Sequence, residues 1–261
     1  MRMKRFFTLS WLSFKSRKSM FKIEEFLCYE TLYPLLTLIF YCVLAGYSYQ
    51  TSNLARWVAG NSFLLCINTC IFTLGSTFMA ERAYGCIRSL IVSPSHKLGI
   101  ILHKGFFTCI SAMVTVILGF LAGGLIFSVD YSGINWFFFF TAVVTAMFAA
   151  AGFGMFIGIF GLVTDQMHFV LNFMSYVLMI FCGANFPIEQ LPPVARIVSG
   201  FLPLTHSIEA VNMLFGTISR FQFIRLLLQE AGIGILYYLL SFFLIRLIEK
   251  AAIKKGAVEV F

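Results

Sequence analysis

The sequence predicts an all-α membrane protein with six transmembrane helices, an N-terminal interfacial amphipathic helix, and a broken, re-entrant outer segment between spans five and six. Three observations lead there. Of 261 residues, 60% are apolar and 11% charged, against roughly 45–50% and about a quarter in soluble domains. Uncharged runs long enough to cross a bilayer recur along the chain, and four of the six prolines fall together after the fifth run. A mean hydropathy of +0.90 excludes a disordered chain and argues against a large soluble enzyme domain.

Residues 1–29 begin with Arg2, Lys4 and Arg5 and mix Phe7, Trp11, Phe14 and Phe21 with Lys15, Arg17, Lys18 and Lys22. Aromatic rings among cations suit a helix lying in the membrane interface. A basic tail held near anionic lipid is the other reading. The cations interrupt any apolar core of signal-peptide length, so no cleaved signal is expected.

A membrane helix takes about 20 residues, because about 30 Å of hydrocarbon is crossed at about 1.5 Å per residue. The uncharged runs 31–55, 57–80, 105–129, 131–164 and 166–187 each hold one span. A shorter run, 231–245, reaches span length when extended back to about Leu226. Glu230 then lies near the outer end, within reach of headgroups or neighbouring helices. No stretch between spans exceeds about 30 residues, too little for a nucleotide-binding domain.

Orientation follows from the cations. With both termini inside, only Arg56, Arg196, Arg220 and Arg225 of the 19 Lys and Arg fall on the outer face. The positive-inside rule therefore puts the termini and residues 81–104 in the cytoplasm. The net charge of +8 sits at the ends of apolar runs, so lipid is the expected partner and nucleic acid is not.

In the fourth span Ala142, Ala146, Ala150, Gly154 and Gly158 recur every fourth residue, a small-residue face that admits a neighbouring backbone. Gly119 and Gly123 of the third span are a candidate partner. Trp136 and Phe137 to Phe140 mark the outer interface. Beyond the fifth span, Pro187, Pro192, Pro193 and Pro203 fall within 17 residues, a density that no continuous helix survives. The residues between them are apolar, so 185–216 is expected to be broken and packed against protein or dipping into the outer leaflet.

Chemistry-bearing groups are sparse. Asp130, Asp165, Glu81, Glu189 and Glu209 all fall near an interface, and no His pairs with Glu at metalloprotease spacing. His206 and Glu209, three apart, read as an interfacial structural pair or as residues of substrate handling or gating. The seven cysteines lack zinc-site or disulfide spacing and read as small hydrophobes. Cys66 and Cys70, one turn apart, would be a metal pair only if other ligands joined them.

The inner loop reads Glu81-Arg82-Ala83-Tyr84-Gly85-Cys86-Ile87-Arg88-Ser89-Leu90-Ile91-Val92-Ser93-Pro94. Its start can form a short amphipathic helix, ended by Ser93-Pro94, that serves as a handle for a cytoplasmic partner. It also reads as an ordinary charged loop. Glu-Arg, two residues, Gly, three residues and Leu-Ile-Val-Ser-Pro resembles the coupling loop of ABC-2 type transporter permeases, the membrane subunits of type V ABC exporters. A second resemblance lies in Phe186-Pro187-Ile188-Glu189-Gln190-Leu191-Pro192 and Phe201-Leu202-Pro203-Leu204-Thr205-His206, similar to the family's outer segment. Cys86 and Arg88 stand where Thr and Glu are common in that loop, which puts the contacts of those positions in doubt.

The resemblance covers nearly the whole chain and implies a single transmembrane domain over 1–261, with a coupling loop at 81–103 and an extracellular re-entrant segment at 185–216. It implies that two permease subunits pair, as a homo- or heterodimer, above separate ABC ATPase subunits. ATP and Mg then belong to the partner, with no cofactor and no catalysis in this chain. Glu81, Arg82, Gly85, Arg88, Ser93 and Pro94 would receive the ATPase. Phe186, Pro187, Leu191, Pro192, Phe201, Pro203, Leu204, Thr205 and His206 would form the outer gate. Export across a bacterial cytoplasmic membrane is the implied activity. The 32 Phe and 11 Met favour an amphipathic or apolar cargo, although lipid-facing surfaces also account for them. The alternative is a stand-alone channel or secondary carrier, which should show broken helices in both halves or buried ion-binding groups.

Overall fold

The computed structural model of the chain describes residues 2–18, 32–51, 53–85, 97–164, 166–216 and 219–254. Every regular element among them is helical. In order these are α1 (Arg2–Lys18), α2 (Tyr33–Tyr49), α3 (Ala55–Leu64), a π-helical turn (Ile67–Thr73), α4 (Thr77–Ala83) and α5 (Lys97–Phe127). There follow α6 (Trp136–Ile159), α7 (Met167–Phe181), α8 (Pro193–Ser199), α9 (Thr205–Met213) and α10 (Arg220–Lys254), with 3-10 turns at Phe160–Leu162 and Ile188–Gln190.

Among the described residues four helices are long and apolar enough to cross a membrane: Ala55–Ala83, Ile101–Phe127, Trp136–Leu162 and Arg220–Ile248. The other two expected spans are shorter apolar helices, α2 with 17 residues and α7 with 15. Both ends are set by the backbone. Gln50 closes α2 with φ 48°, and Gly183, two residues beyond α7, has φ +81°, a conformation that a glycine adopts without strain. Conversely, α10 begins six residues before the Leu226 expected from hydropathy, because Arg220 and Arg225 continue its helical turns.

The most enclosed of the long helices is α6. Asn135 starts it by accepting hydrogen bonds from the backbone N–H groups of Phe137 and Phe138, at 3.1 and 3.4 Å, and so satisfies donors that a helix start leaves orphaned. Ala142, Ala146, Ala150, Gly154 and Gly158 are buried along one side. A Cβ on Gly154 would collide with the Cys70 carbonyl oxygen, and one on Gly158 would stand 2.9 Å from that of Leu74. The element facing this stripe is therefore the π turn and its continuation. Gly119 and Gly123, the expected partners, receive Leu65, Leu38 and Val58 side chains instead. On another side Gly152 and Gly234 bring α6 and α10 together, with a Cβ on Gly152 falling 3.0 Å from the Gly234 oxygen. Helices in lipid gain little from apolar burial against one another, so such backbone approach is what binds them.

The aromatic residues of α1 pack on α5, with Phe7 edge-on to Phe106 at 5.4 Å and Trp11 to Phe107 at 5.3 Å. Residues 19–29, the remainder of the expected interfacial segment, lie outside the described residues. At the far end of α5, Tyr131 stacks on Phe120 and donates its hydroxyl to the Phe120 carbonyl at 2.7 Å. Phe139 is buried in this cluster, while Trp136, Phe137 and Phe140 stay about half exposed or more.

Candidate functional site

Chemistry-bearing residues gather at the two ends of the bundle. At the first, α4 carries Glu81 and Arg82 on its last turn, and Gly85 turns the chain away with φ +69°. Arg88, Ser93 and Pro94 lie outside the described residues. Residues 81–103 are thus partly helical, since α4 runs through Ala83 and α5 begins at Lys97. Glu81 forms an ion pair with Lys104, whose ammonium also sits 4.9 Å above the Phe78 ring. Lys104 is buried although charged, and its stem and head are covered by protein. Charge sign alone assigned Lys104 to the basic inner face; only the fold matches it with Glu81, 23 residues away.

At the second end the chain from Asn185 to Gly216 is broken as the prolines require: a 3-10 turn, then α8, then α9. Pro192 and Pro193 start α8, where a missing N–H costs nothing. The Trp57 ring N–H donates to the Asn185 carbonyl at 3.3 Å, tying this segment to the start of α3. Ser199 donates to the Phe181 carbonyl at 2.5 Å, and the Tyr237 hydroxyl to that of Phe201 at 3.0 Å. The expected gate residues divide. Pro203, Leu204 and Thr205 are buried. Phe186, Pro192 and Phe201 are exposed, while Pro187, Leu191 and His206 are intermediate. His206 is paired through Nε2 with the Gly200 carbonyl, at 3.3 Å, rather than with Glu209.

Glu230, placed by the sequence within reach of headgroups or neighbouring helices, meets a neighbouring helix and organises this end. Glu230 of α10 is fully buried, and its carboxylate accepts from the backbone N–H groups of Leu204 at 2.6 Å, His206 at 3.1 Å and Ser207 at 3.3 Å. Leu204 stands at the N-cap position just before α9, and its side chain cannot cap the helix. The carboxylate supplies the missing acceptors and a negative charge at the positive end of the helix. The signal was present in outline: an acid inside a long apolar helix has to find donors, although its partner is 26 residues earlier.

Between these ends, α2, the Ala55–Ala83 helix and α7 enclose a cleft of about 210 Å³ lined by Tyr33, Tyr41, Asn61, Asn172, Ser175 and Tyr176 among apolar residues. Among the described residues, no ionisable acid or base other than tyrosine lines it. Asn61 and Asn172 spend an amide N–H on carbonyls one turn back, at 3.0 and 2.7 Å, as Ser175 spends its hydroxyl at 2.8 Å. What the cleft offers is aromatic surface and neutral polar groups. Among the described residues no cluster of three or more His, Cys, Asp or Glu could hold a metal.

An all-helical apolar bundle with a charged turn at one end and a proline-broken apolar segment at the other has the organisation of a membrane transport subunit. A family model described as ABC-2 type transporter matches residues 6–215, and the chain belongs to that family. It is an integral membrane protein, a transmembrane permease component of an ABC transporter. No curated protein matches the chain.

Proposed function

We propose that the chain is the permease subunit of an ABC exporter that moves an amphipathic or apolar cargo, such as a drug, peptide, lipid or glycan, out of the cytoplasm with ATP hydrolysed by a separate subunit. Two permease subunits pair, and ATP and Mg bind the ATPase subunits beneath them. The chain crosses the membrane six times with both termini cytoplasmic, α1 lies in the interface, and residues 185–216 re-enter the outer leaflet as an extracellular gate.

One observation supports this reading above others. The helix Ala55–Ala83 touches the outer segment through Trp57 and ends at the Glu81–Lys104 pair. At about 1.5 Å per residue it is about 43 Å long, so a push on its charged end reaches the outer segment through a single element. The cleft beside it suits a cargo with an apolar body and few charges, since an unpaired ion there would lose its hydration without compensation.

The test is reconstitution with a separate ABC ATPase subunit, the first candidate being any ATPase with a Gly-rich phosphate loop encoded by an adjacent gene. The ATPase is expected to co-purify, and the permease alone to hydrolyse no ATP. Glu81→Lys should abolish stimulation of that ATPase while the protein still inserts. Because Glu81→Lys also sets two ammonium groups together, Lys104→Glu in the same chain should restore the fold. If the double variant regains stimulation as well, Glu81 acts through Lys104; if only stability returns, Glu81 contacts the partner itself. Wild-type stimulation by Glu81→Lys alone would overturn the coupling role.

A further inference from the structure

The N-terminus of α9 is held in an arrangement that local sequence does not favour. Leu204 has φ 75°, a left-handed backbone that costs a leucine energy. The hydroxyls of Thr205 and Ser207 and Nδ1 of His206 are buried with no hydrogen-bond partner among the described residues. Buried polar atoms without partners favour any alternative in which water reaches them. Against these stand the three backbone N–H groups that converge on the Glu230 carboxylate. Two turns further along the same face of α10, the Tyr237 hydroxyl holds the Phe201 carbonyl. Glu230 is ten residues into α10, about 15 Å from its start, so the contact lies well inside the bundle.

We propose that Glu230 is a latch: its carboxylate positions the outer segment against the last span and keeps the exit closed. The proposal rests on the reading of residues 185–216 as the outer gate. Its chemistry is specific to a carboxylate. All three partners are donors, and Glu230 meets them with two acceptor oxygens. Glutamine has the same shape but replaces one oxygen with NH₂, which would face donors and leave one or two of the backbone N–H groups unpaired. Freed of the latch, the segment relaxes toward an open position in which Thr205, Ser207 and His206 meet water and Leu204 can leave the left-handed region.

The experiment uses the full chain in lipid. Backbone hydrogen exchange is measured in nanodiscs for wild type, Glu230→Gln and Glu230→Ala. Retention of carboxyfluorescein is measured in proteoliposomes without nucleotide. Glu230→Gln is expected to raise exchange across residues 204–213 at least tenfold, to leave α6 as protected as in wild type, and to speed dye loss at least fivefold. Protection of α6 shows that the variant has folded; should Glu230→Ala fail to insert, Glu230→Gln carries the test. Unchanged exchange in Glu230→Gln overturns the latch. Raised exchange with wild-type dye retention also overturns it, leaving a local helix cap. Leu191→Ala and Phe201→Ala separate the two readings: if they leak and Glu230→Gln does not, the latch fails and the gate stands; if none of the three leaks, the gate reading fails as well.

Discussion

His206 lies on the proline-broken segment 185–216, half-buried, with its Nε2 donating to the Gly200 carbonyl. Burial lowers its pKa from the ordinary 6.5, and the Gly200 carbonyl opposes that shift only in part. The folded segment therefore prefers the neutral ring. Its contribution to stability is complete above about pH 6.5 and is lost as the pH falls through the lowered value. Glu209 has the opposite sense: burial raises its pKa, Glu189 adds to the rise and Arg56 opposes it. Protonation of Glu209 on acidification therefore offsets part of the loss. Protection of the α9 amides, taken relative to their intrinsic exchange rate at each pH, should fall as the pH drops from 7.5 to 5.5, more steeply in Glu209→Gln. His206→Gln, which retains a donor for Gly200, should flatten the response; an unchanged slope would remove His206 from it. The importance of this end was legible from its prolines, and the latch was not. An N-cap is normally read in the residues beside it, and here Leu204 occupies that place while the acceptors come from another helix. The Glu81–Lys104 pair was half legible for the same reason: each charge was visible, their meeting was not.

The small-residue stripe of α6 was legible because four-residue spacing needs only helix periodicity. Its partner was not. Gly119 and Gly123 carry the same composition, but the backbone facing the stripe belongs to the π turn and its continuation, at Cys70 and Leu74, which form no stripe of Gly and Ala. A π turn carries one extra residue per turn and shifts the carbonyls along the helix face, and hydropathy does not register it. Close approach on the α6 side makes a specific expectation. Gly154→Ala forces a methyl group onto the Cys70 carbonyl and should destabilise the bundle by about 1–3 kcal/mol. Gly232 of α10 has nothing within 4 Å of the position a Cβ would take. There Gly232→Ala should be neutral or stabilising by up to about 1 kcal/mol from helix propensity alone. Thermal unfolding of both variants in the same detergent checks the pair. Equal midpoints would mean that α6 and the π turn separate more easily than their geometry implies.

How many times the chain crosses the membrane is decided by α2 and α7, which at about 25 and 22 Å fall short of roughly 30 Å of hydrocarbon. Short spans are tolerated where the bilayer thins or flanking residues reach the interface, so length alone does not decide between four crossings and six. Parity does. If α2 fails to cross, the basic N-terminus lies opposite the basic stretch around Arg82, Arg88 and Lys97, with the Ala55–Ala83 helix between them. If α7 fails to cross, the long helix α10 carries Arg246, Lys250 and Lys254 to the outside. Either case scatters onto both faces the cations that six crossings gather on one, as does the loss of both, which leaves Arg82, Arg88 and Lys97 opposite the termini, and the positive-inside rule opposes all three. Six crossings also put residues 185–216 on the same side as Ser132, where the interfacial Trp136 begins α6. Single cysteines at Asn53, Ser132 and Val194 should then react with a membrane-impermeant maleimide applied from outside intact cells, and cysteines at Lys15, Lys97 and Lys254 should not. Each crossing has its own signature. Lys15 and Asn53 both labelled, or both protected while Lys97 is labelled, would remove α2 from the spans. Protection at Val194 with labelling at Lys254 would remove α7, and the outer gate would then face the cytoplasm.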